Sequence, residues 1–79
     1  MIIKPLATES ALGDVGIASS KLVRVVNTNP TTALQLTVAD TTPLSLTIPP
    51  NSVEIVEKNY GVPLAGSGDL LGTPIAFTS

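Results

Sequence analysis

The sequence predicts an all-β protein, a small antiparallel β-sandwich or barrel of five to six short strands. Apolar and polar residues alternate with period two in several segments, which is the pattern of a strand with one buried face. Proline, asparagine and glycine separate these segments at short intervals, as is typical of turns. Helical spacing of apolar residues is much rarer, and no helix longer than one turn is predicted.

The clearest alternation occurs in two neighbouring segments, ALQLTVA (33–39) and LSLTI (44–48). In each, leucine, valine or isoleucine occupies every second position and serine, threonine or glutamine lies between them. The intervening DTTP (40–43) has turn composition, and Asp40 can bond to the backbone two residues further on. We therefore expect an antiparallel pair with one buried face.

The segment LVRVVN (22–27) is apolar on both sides, apart from Arg24. This pattern predicts a central strand covered on both faces. The segment NTNPT (27–31) then ends the strand, because Pro30 cannot continue a central ladder.

The stretch TIPPNSVEIVEK (47–58) is predicted to be a strand, a corner and a second strand starting at Val53. Its prolines lack the N–H group that a central ladder needs. Alternation places Ile55 and Glu57 on the face of Val53, with Glu54 on the other face. The charged residues are expected to discourage edge pairing.

The remaining segments are less regular. Residues 1–9 are predicted to form a first strand interrupted or edged by Pro5, and 10–20 an irregular connection. Residues 59–72 read as a glycine-rich loop with one helical turn near 69–71. Residues 73–78 are expected to be the last strand, with Ile75 and Phe77 facing inward.

The whole chain, 1–79, is predicted to be a single β domain. Domains this small often depend on disulfides, a metal or oligomerisation, and the sequence has neither cysteine nor histidine. Charged residues make up 13% of the chain, against about 25% in typical proteins. The mean hydropathy is +0.43. We therefore expect a surface that is partly covered by other protein.

Several function classes are disfavoured by composition. The net charge is −2 and the four basic residues are scattered, so no nucleic acid is expected as a partner. No apolar run approaches the roughly 20 residues that span a bilayer, so no membrane is expected. Without histidine, no serine has an obvious activating base. Glu54 and Glu57 should lie on opposite faces, and GSGDLLG (66–72) lacks the dinucleotide-loop spacing. No enzyme activity, cofactor, metal or small-molecule substrate is predicted.

Two residues are candidates for protein contacts. Arg24 could extend its guanidinium to water, or form an ion pair with Glu54, Glu57 or a neighbouring subunit. Tyr60 could anchor an interface or cap the core.

Four segments, MIIKPLATE (1–9), LVRVVN, IPPNSVEIVEK (48–58) and TPIAFT (73–78), resemble small β-rich virion structural proteins of tailed bacteriophages. The resemblance implies a capsid decoration (cement) subunit, located in the virion after assembly in the host cytoplasm. Its partners would be the major capsid protein or other virion proteins, and it would form homo-oligomers. A neck, tail or fibre component and a carbohydrate- or receptor-binding module remain alternatives. Protein contacts are predicted at Ile2, Ile3, Lys4, Arg24 and Tyr60.

Overall fold

The computed structural model describes residues 2–78, with side chains from residue 3 to residue 76. These residues form eight β-strands and one short helix. In chain order they are β1 (Ile2–Pro5), β2 (Ser10–Ala11), α1 (Val15–Ala18), β3 (Leu22–Asn27), β4 (Leu34–Val38), β5 (Leu44–Ile48), β6 (Val53–Glu57), β7 (Leu64–Gly66) and β8 (Leu70–Thr78). The all-β prediction is confirmed, although the strands outnumber the five or six expected.

The strands form two antiparallel sheets. The large sheet has the order β1-β8-β3-β6, with β2 also paired to β8, and the small sheet has the order β5-β4-β7. Both β1 and β2 run along the edge of β8 that β3 leaves free. Pro5 pairs with Ile75 and Ser10 pairs with Gly72. The four residues 6–9 between β1 and β2 therefore lie opposite only two residues of β8, 73 and 74. The first strand is therefore interrupted just after Pro5, as predicted.

A single apolar cluster lies between the two sheets. The large sheet and its flanking turn contribute Leu12, Val23, Val25, Val56 and Leu70; the small sheet contributes Leu36, Ile48 and Leu64; the helix contributes Ile17. Because members come from both sheets, the architecture is a sandwich. The predicted pairing of 34–38 with 44–48 is confirmed residue by residue, from Leu34 opposite Ile48 to Val38 opposite Leu44.

Helix α1 closes one end of the core, in a segment predicted to be an irregular connection. Asp14 begins the helix, and its carboxylate accepts a bond from the Gly16 backbone N–H at 2.8 Å. The single turn delivers Ile17 to the core with no exposed surface. Its Cδ1 atom would lie 2.8 Å from a Cβ atom at position 72, so the helix can approach β8 only because residue 72 is glycine.

The corner between the sheets joins β5 to β6 through residues 49–52. Asn51 has a φ of 54°, a left-handed conformation that asparagine adopts more readily than most residues. The buried Asn27 stabilises this corner from below. Its Nδ2 atom donates to the carbonyls of Thr32 and Ile48, each at 3.0 Å, and its Oδ1 accepts from the Asn29 N–H at 2.9 Å.

Lys58 lies at the end of the core away from this corner, next to the end of α1 and where β6 ends. It is buried, and its ammonium donates to the carbonyl oxygens of Ala18 and Ser20 at the end of α1. Because burial disfavours the charged form, the pKa of Lys58 is lowered from its ordinary value of 10.5.

Three local predictions were wrong. Residues 69–71 do not form a helical turn, because β8 starts at Leu70, and the predicted loop 59–72 also contains β7. Asp40 accepts from the N–H of Thr41, the next residue, rather than from the residue after it. Ile75 is buried, but its register places it on the side of the sheet opposite the core cluster. The predicted orientation of Phe77 concerns a side chain outside the described part.

Candidate protein-interaction surface

The side of the large sheet that faces away from the small sheet is mainly apolar. Directly paired residues in an antiparallel ladder share a face, so the pairing register assigns every strand position. The core side carries Val23, Val25 and Val56. The other side, here called the outer face, carries Ile3, Pro5, Ala11, Leu22, Arg24, Val26, Val53, Ile55, Glu57, Leu71, Thr73 and Ile75.

No element in the described part of the chain forms a second layer over this face. Ile3, Val53 and Ile55 are 42%, 43% and 42% exposed, and Leu22, Val26 and Leu71 are partly buried. Among the outer-face residues whose side chains the structure describes, only Thr73 and Ile75 on β8 are buried. The prediction that β3 is central is therefore confirmed, whereas its expected cover on both faces is present only on the core side.

The outer side of the small sheet has the opposite character. Its register places Gln35, Thr37, Ser45, Thr47 and Ala65 on the side away from the core. Thr37 and Ser45 are directly paired, and their hydroxyl groups lie 3.2 Å apart within hydrogen-bonding distance. This is the usual arrangement for a sheet that faces water on one side.

The charge in the middle of the outer face is neutralised within the chain. Nη1 of Arg24 lies 3.5 Å from Oε2 of Glu9, and each side chain is a little over one third exposed. Glu9 comes from the segment that interrupts the first strand. The predicted partners Glu54 and Glu57 are therefore wrong: Glu54 lies on the core side of β6, and Arg24 pairs with neither. A pair this exposed contributes little stability, at most about 1 kcal/mol.

The residues predicted to make contacts do not form one site. Ile3 and Arg24 both lie on the outer face, whereas Lys4 shares the side of its partner Ala76, which is the core side. Tyr60 is exposed in the turn after β6. Its neighbours Asn59 and Gly61 bond to Asp40 and Ala18, so this turn lies at the end of the sandwich rather than on the outer face. The Ile2 side chain is outside the described part.

The sequence pattern did not predict Val53, Ile55 and Leu71 as members of the surface. The signal was present, since Val53 and Ile55 were correctly placed on one face of β6. The sequence pattern does not give the pairing register of the strands, which places Val26 of β3 directly between Val53 of β6 and Leu71 of β8. Only this alignment joins three short apolar patterns into a continuous surface.

The outer face is about 20 Å wide, given four strand positions at about 4.8 Å spacing, and about 20 Å long at about 3.4 Å per residue. Its area is thus on the order of 400 Å², which is as large as the biggest apolar patch of a typical monomer. It is about half of the about 800 Å² that a standard interface buries on each partner. One such contact is expected to be weak.

Other features of the described residues offer less chemistry. A depression of about 390 Å³ lies between residues 7–10 and the start of α1, and another of about 300 Å³ lies beside β7. The two carboxylates at the first depression are already bound, Glu9 by Arg24 and Asp14 by Gly16. Within residues 2–78 no group of three or more acidic residues could hold a metal ion. No helix in the same range has the length and apolar character to cross a membrane.

Comparisons with known proteins add no assignment: no protein-family model, curated protein or solved structure matches this chain.

Proposed function

We propose that this chain is a structural subunit of a virus particle, a decoration (cement) protein that docks its outer face on the capsid of a tailed bacteriophage. The observation that carries the docking proposal is the uncovered outer face, with Ile3, Val53 and Ile55 each more than 40% exposed. The viral part of the proposal rests on the resemblance of the four sequence segments. The partner would be the major capsid protein or another virion protein.

The size of the outer face favours a repeated partner. Burying about 400 Å² of apolar surface on this chain contributes at most about 10 kcal/mol from its side of the interface, at about 25 cal/mol per Å². Association costs about 4–15 kcal/mol in lost translational and rotational freedom, and ordering of side chains adds to this cost. One docking event therefore leaves little net affinity. A shell presents many identical sites, and subunits that also contact one another bind it by avidity. The proposal therefore includes self-association on the particle.

The near-neutral chemistry of the outer face also fits permanent burial. Arg24 already has Glu9 as its partner, so docking would not bury an unpaired charge, which is the costly case. Glu57 lies on the same face at the edge strand β6, where it can stay in water at the rim. A neck, tail or fibre component would use the same surface on a different part of the virion.

Cosedimentation with purified particles of the encoding phage tests the proposal. The wild-type chain should bind in many copies, and Ile55→Lys should weaken binding by about tenfold or more, because docking would bury an unpaired ammonium. Gln35→Lys is the matched control, since it adds the same charge to an exposed position on the small sheet. It should bind like wild type.

Circular dichroism and thermal melting of both variants would show that the fold is kept. The docking proposal fails if wild type does not sediment with the particles. It also fails if Ile55→Lys and Gln35→Lys bind equally well.

A further inference from the structure

The edges of the two sheets differ in how they resist pairing with another chain. At one edge of the large sheet, β1 has Lys4 on its core side, followed by Pro5 and the interruption at residues 6–9. The β6 edge has Glu54 pointing to the core side, and the β7 edge is only three residues long. Inward charges, prolines, interruptions and short length are the devices that protect edges.

Strand β5 has none of these devices along its length. It is five residues long, LSLTI, with no charge, proline or glycine, and it lies at the edge of the small sheet. Leu44 and Leu46 point to the core side with Ile48, yet they are 67% and 36% exposed, whereas Ile48 is fully buried. Both leucines are therefore open to solvent.

The free hydrogen-bonding groups of β5 can be assigned from its neighbours. The N–H of Ala39 donates to the carbonyl of Pro63 at 3.0 Å. The backbone N–H and C=O groups of odd-numbered residues in β4 therefore point to β7, and those of even-numbered residues point to β5. Leu36 therefore bonds with Leu46, its direct partner. It follows that the N–H and C=O groups of Ser45 and Thr47 point away from the sheet.

This free edge is complementary to itself. If two copies align antiparallel about Leu46, Ser45 of each lies opposite Thr47 of the other. The outward groups of these two residues can then form four backbone hydrogen bonds across the pair. Leu46 meets Leu46 and Leu44 meets Ile48 on one face, while serine and threonine meet on the other. No like charges come into opposition within the strand.

Prolines limit the ladder at both ends. The outward positions before and after Ser45 and Thr47 are Pro43 and Pro49, and neither can donate a hydrogen bond. A strand added in another register would lose donors or oppose a proline. Pairing about a two-fold axis also consumes both edges, so it closes instead of continuing into a fibre.

We infer that β5 is a self-pairing edge, through which two copies of this chain join their small sheets into one six-stranded sheet centred on Leu46. This inference does not depend on the docking proposal, because it uses a different sheet and needs no virus particle. On a shell it would supply the contact between neighbouring subunits that avidity requires.

Disulfide trapping tests the register directly, since the natural chain has no cysteine. At a non-hydrogen-bonded antiparallel pair the two Cα atoms lie about 4.5 Å apart, within the about 4.4–6.8 Å that a disulfide needs. Leu46→Cys should therefore form a covalent dimer under mild oxidation. In Thr47→Cys the two sites would be about 8 Å apart, beyond the about 7 Å limit, and should cross-link at least about tenfold more slowly.

Sedimentation velocity tests whether the uncrosslinked chain associates. Wild type should form dimers as its concentration rises from about 10 µM to about 1 mM, the range expected for a small interface. Ser45→Pro should abolish this dimerisation, because it removes an outward N–H and no backbone hydrogen bond within the chain. Within the chain it removes the exposed side-chain contact between Ser45 and Thr37. Glu57→Pro is the matched control. The N–H of Lys58 donates to the carbonyl of Lys21 at 2.8 Å. The backbone N–H of the preceding residue, Glu57, therefore points away from β3 at the edge of the sheet.

The two proposals fail in different ways. A monomer up to about 1 mM, or equal cross-linking of Leu46→Cys and Thr47→Cys, would overturn β5 pairing and leave particle binding to be judged by cosedimentation. A dimer that survives Ser45→Pro but is broken by Ile55→Lys would also overturn it, because the outer face would then be the self-contact. Circular dichroism of Ser45→Pro would establish that it remains folded.

Discussion

The two sheets bury similar inner faces but have opposite outer faces. The small sheet presents glutamine, threonine and serine, with Thr37 and Ser45 within hydrogen-bonding distance of each other. The large sheet presents isoleucine, valine and leucine from β1, β3, β6 and β8. Both sheets contribute to the same apolar cluster and face the same solvent, so general hydrophobicity does not explain the difference. This contrast is the basis of the proposal that the large sheet, rather than the small sheet, uses its outer face to contact another protein.

The largest effect is expected in the core of the small sheet, where neighbouring residues point in opposite directions. Leu36 is fully buried, and Leu36→Ala should lower the free energy of unfolding by about 3–5 kcal/mol through lost burial and a cavity. Gln35→Ala, on the polar outer side, should change it by less than about 0.5 kcal/mol. Urea unfolding followed by circular dichroism measures both. Similar losses in the two variants would show that the polar face is covered.

The corresponding pair in the large sheet sharpens the comparison. Val25 has no exposed surface, and Val26 is its half-buried neighbour on the outer face. Val25→Ala should cost about 2–3 kcal/mol, since two buried carbon groups are worth about 0.8 kcal/mol each before the cavity is counted. Val26→Ala should cost less than about 1 kcal/mol in the isolated chain.

The same pair can be measured on the assembled particle. Val26→Ala should weaken cosedimentation although it hardly affects folding, because its side chain becomes buried only on docking. If Val26→Ala destabilises the isolated chain as much as Val25→Ala does, the outer face is already covered in the free protein.

Period-two patterns were sufficient to predict the regular strands. The pairing of β4 with β5, the corner at residues 49–52 and the two faces of β6 all follow from alternation and from proline chemistry. Each depends on interactions within about 20 residues of sequence, so local pattern and the final fold agree.

The missed elements depend on distant contacts. Strands β2 and β7 are too short to show a period, and each is held by a partner from another part of the sequence. Helix α1 is a single turn that exists because Ile17 reaches a space beside Gly72, 55 positions later by their residue numbers. The outer face was missed for the same reason, since it requires the register of four strands.

Two glycines distinguish the packed interior from the open surface. At Gly72 a Cβ atom would meet Ile17 at 2.8 Å, Val23 at 3.1 Å and Leu12 at 3.3 Å, whereas at Gly68 nothing lies within 4 Å. Gly72→Ala should therefore destabilise the fold by about 1–3 kcal/mol through overpacking. Gly68→Ala should be neutral or stabilise it by up to about 1 kcal/mol, because alanine restricts the unfolded chain. Thermal unfolding compares them, and equal melting temperatures would refute the close approach of α1.

The smallest effect concerns Lys58, a cation placed inside the sandwich, whereas Arg24 lies on the outer face beside its carboxylate partner. Burial lowers the pKa of Lys58 below its ordinary value of 10.5. Between the lowered pKa and 10.5 the unfolded chain binds more protons than the folded chain, so stability from this group rises with pH. Lys58→Met removes the rise, and urea unfolding at several alkaline pH values would measure it as a difference from wild type. If the free energy of unfolding of wild type minus that of Lys58→Met falls with pH instead, the bonds to Ala18 and Ser20 outweigh the cost of burial. The ammonium would then stabilise this end of the core.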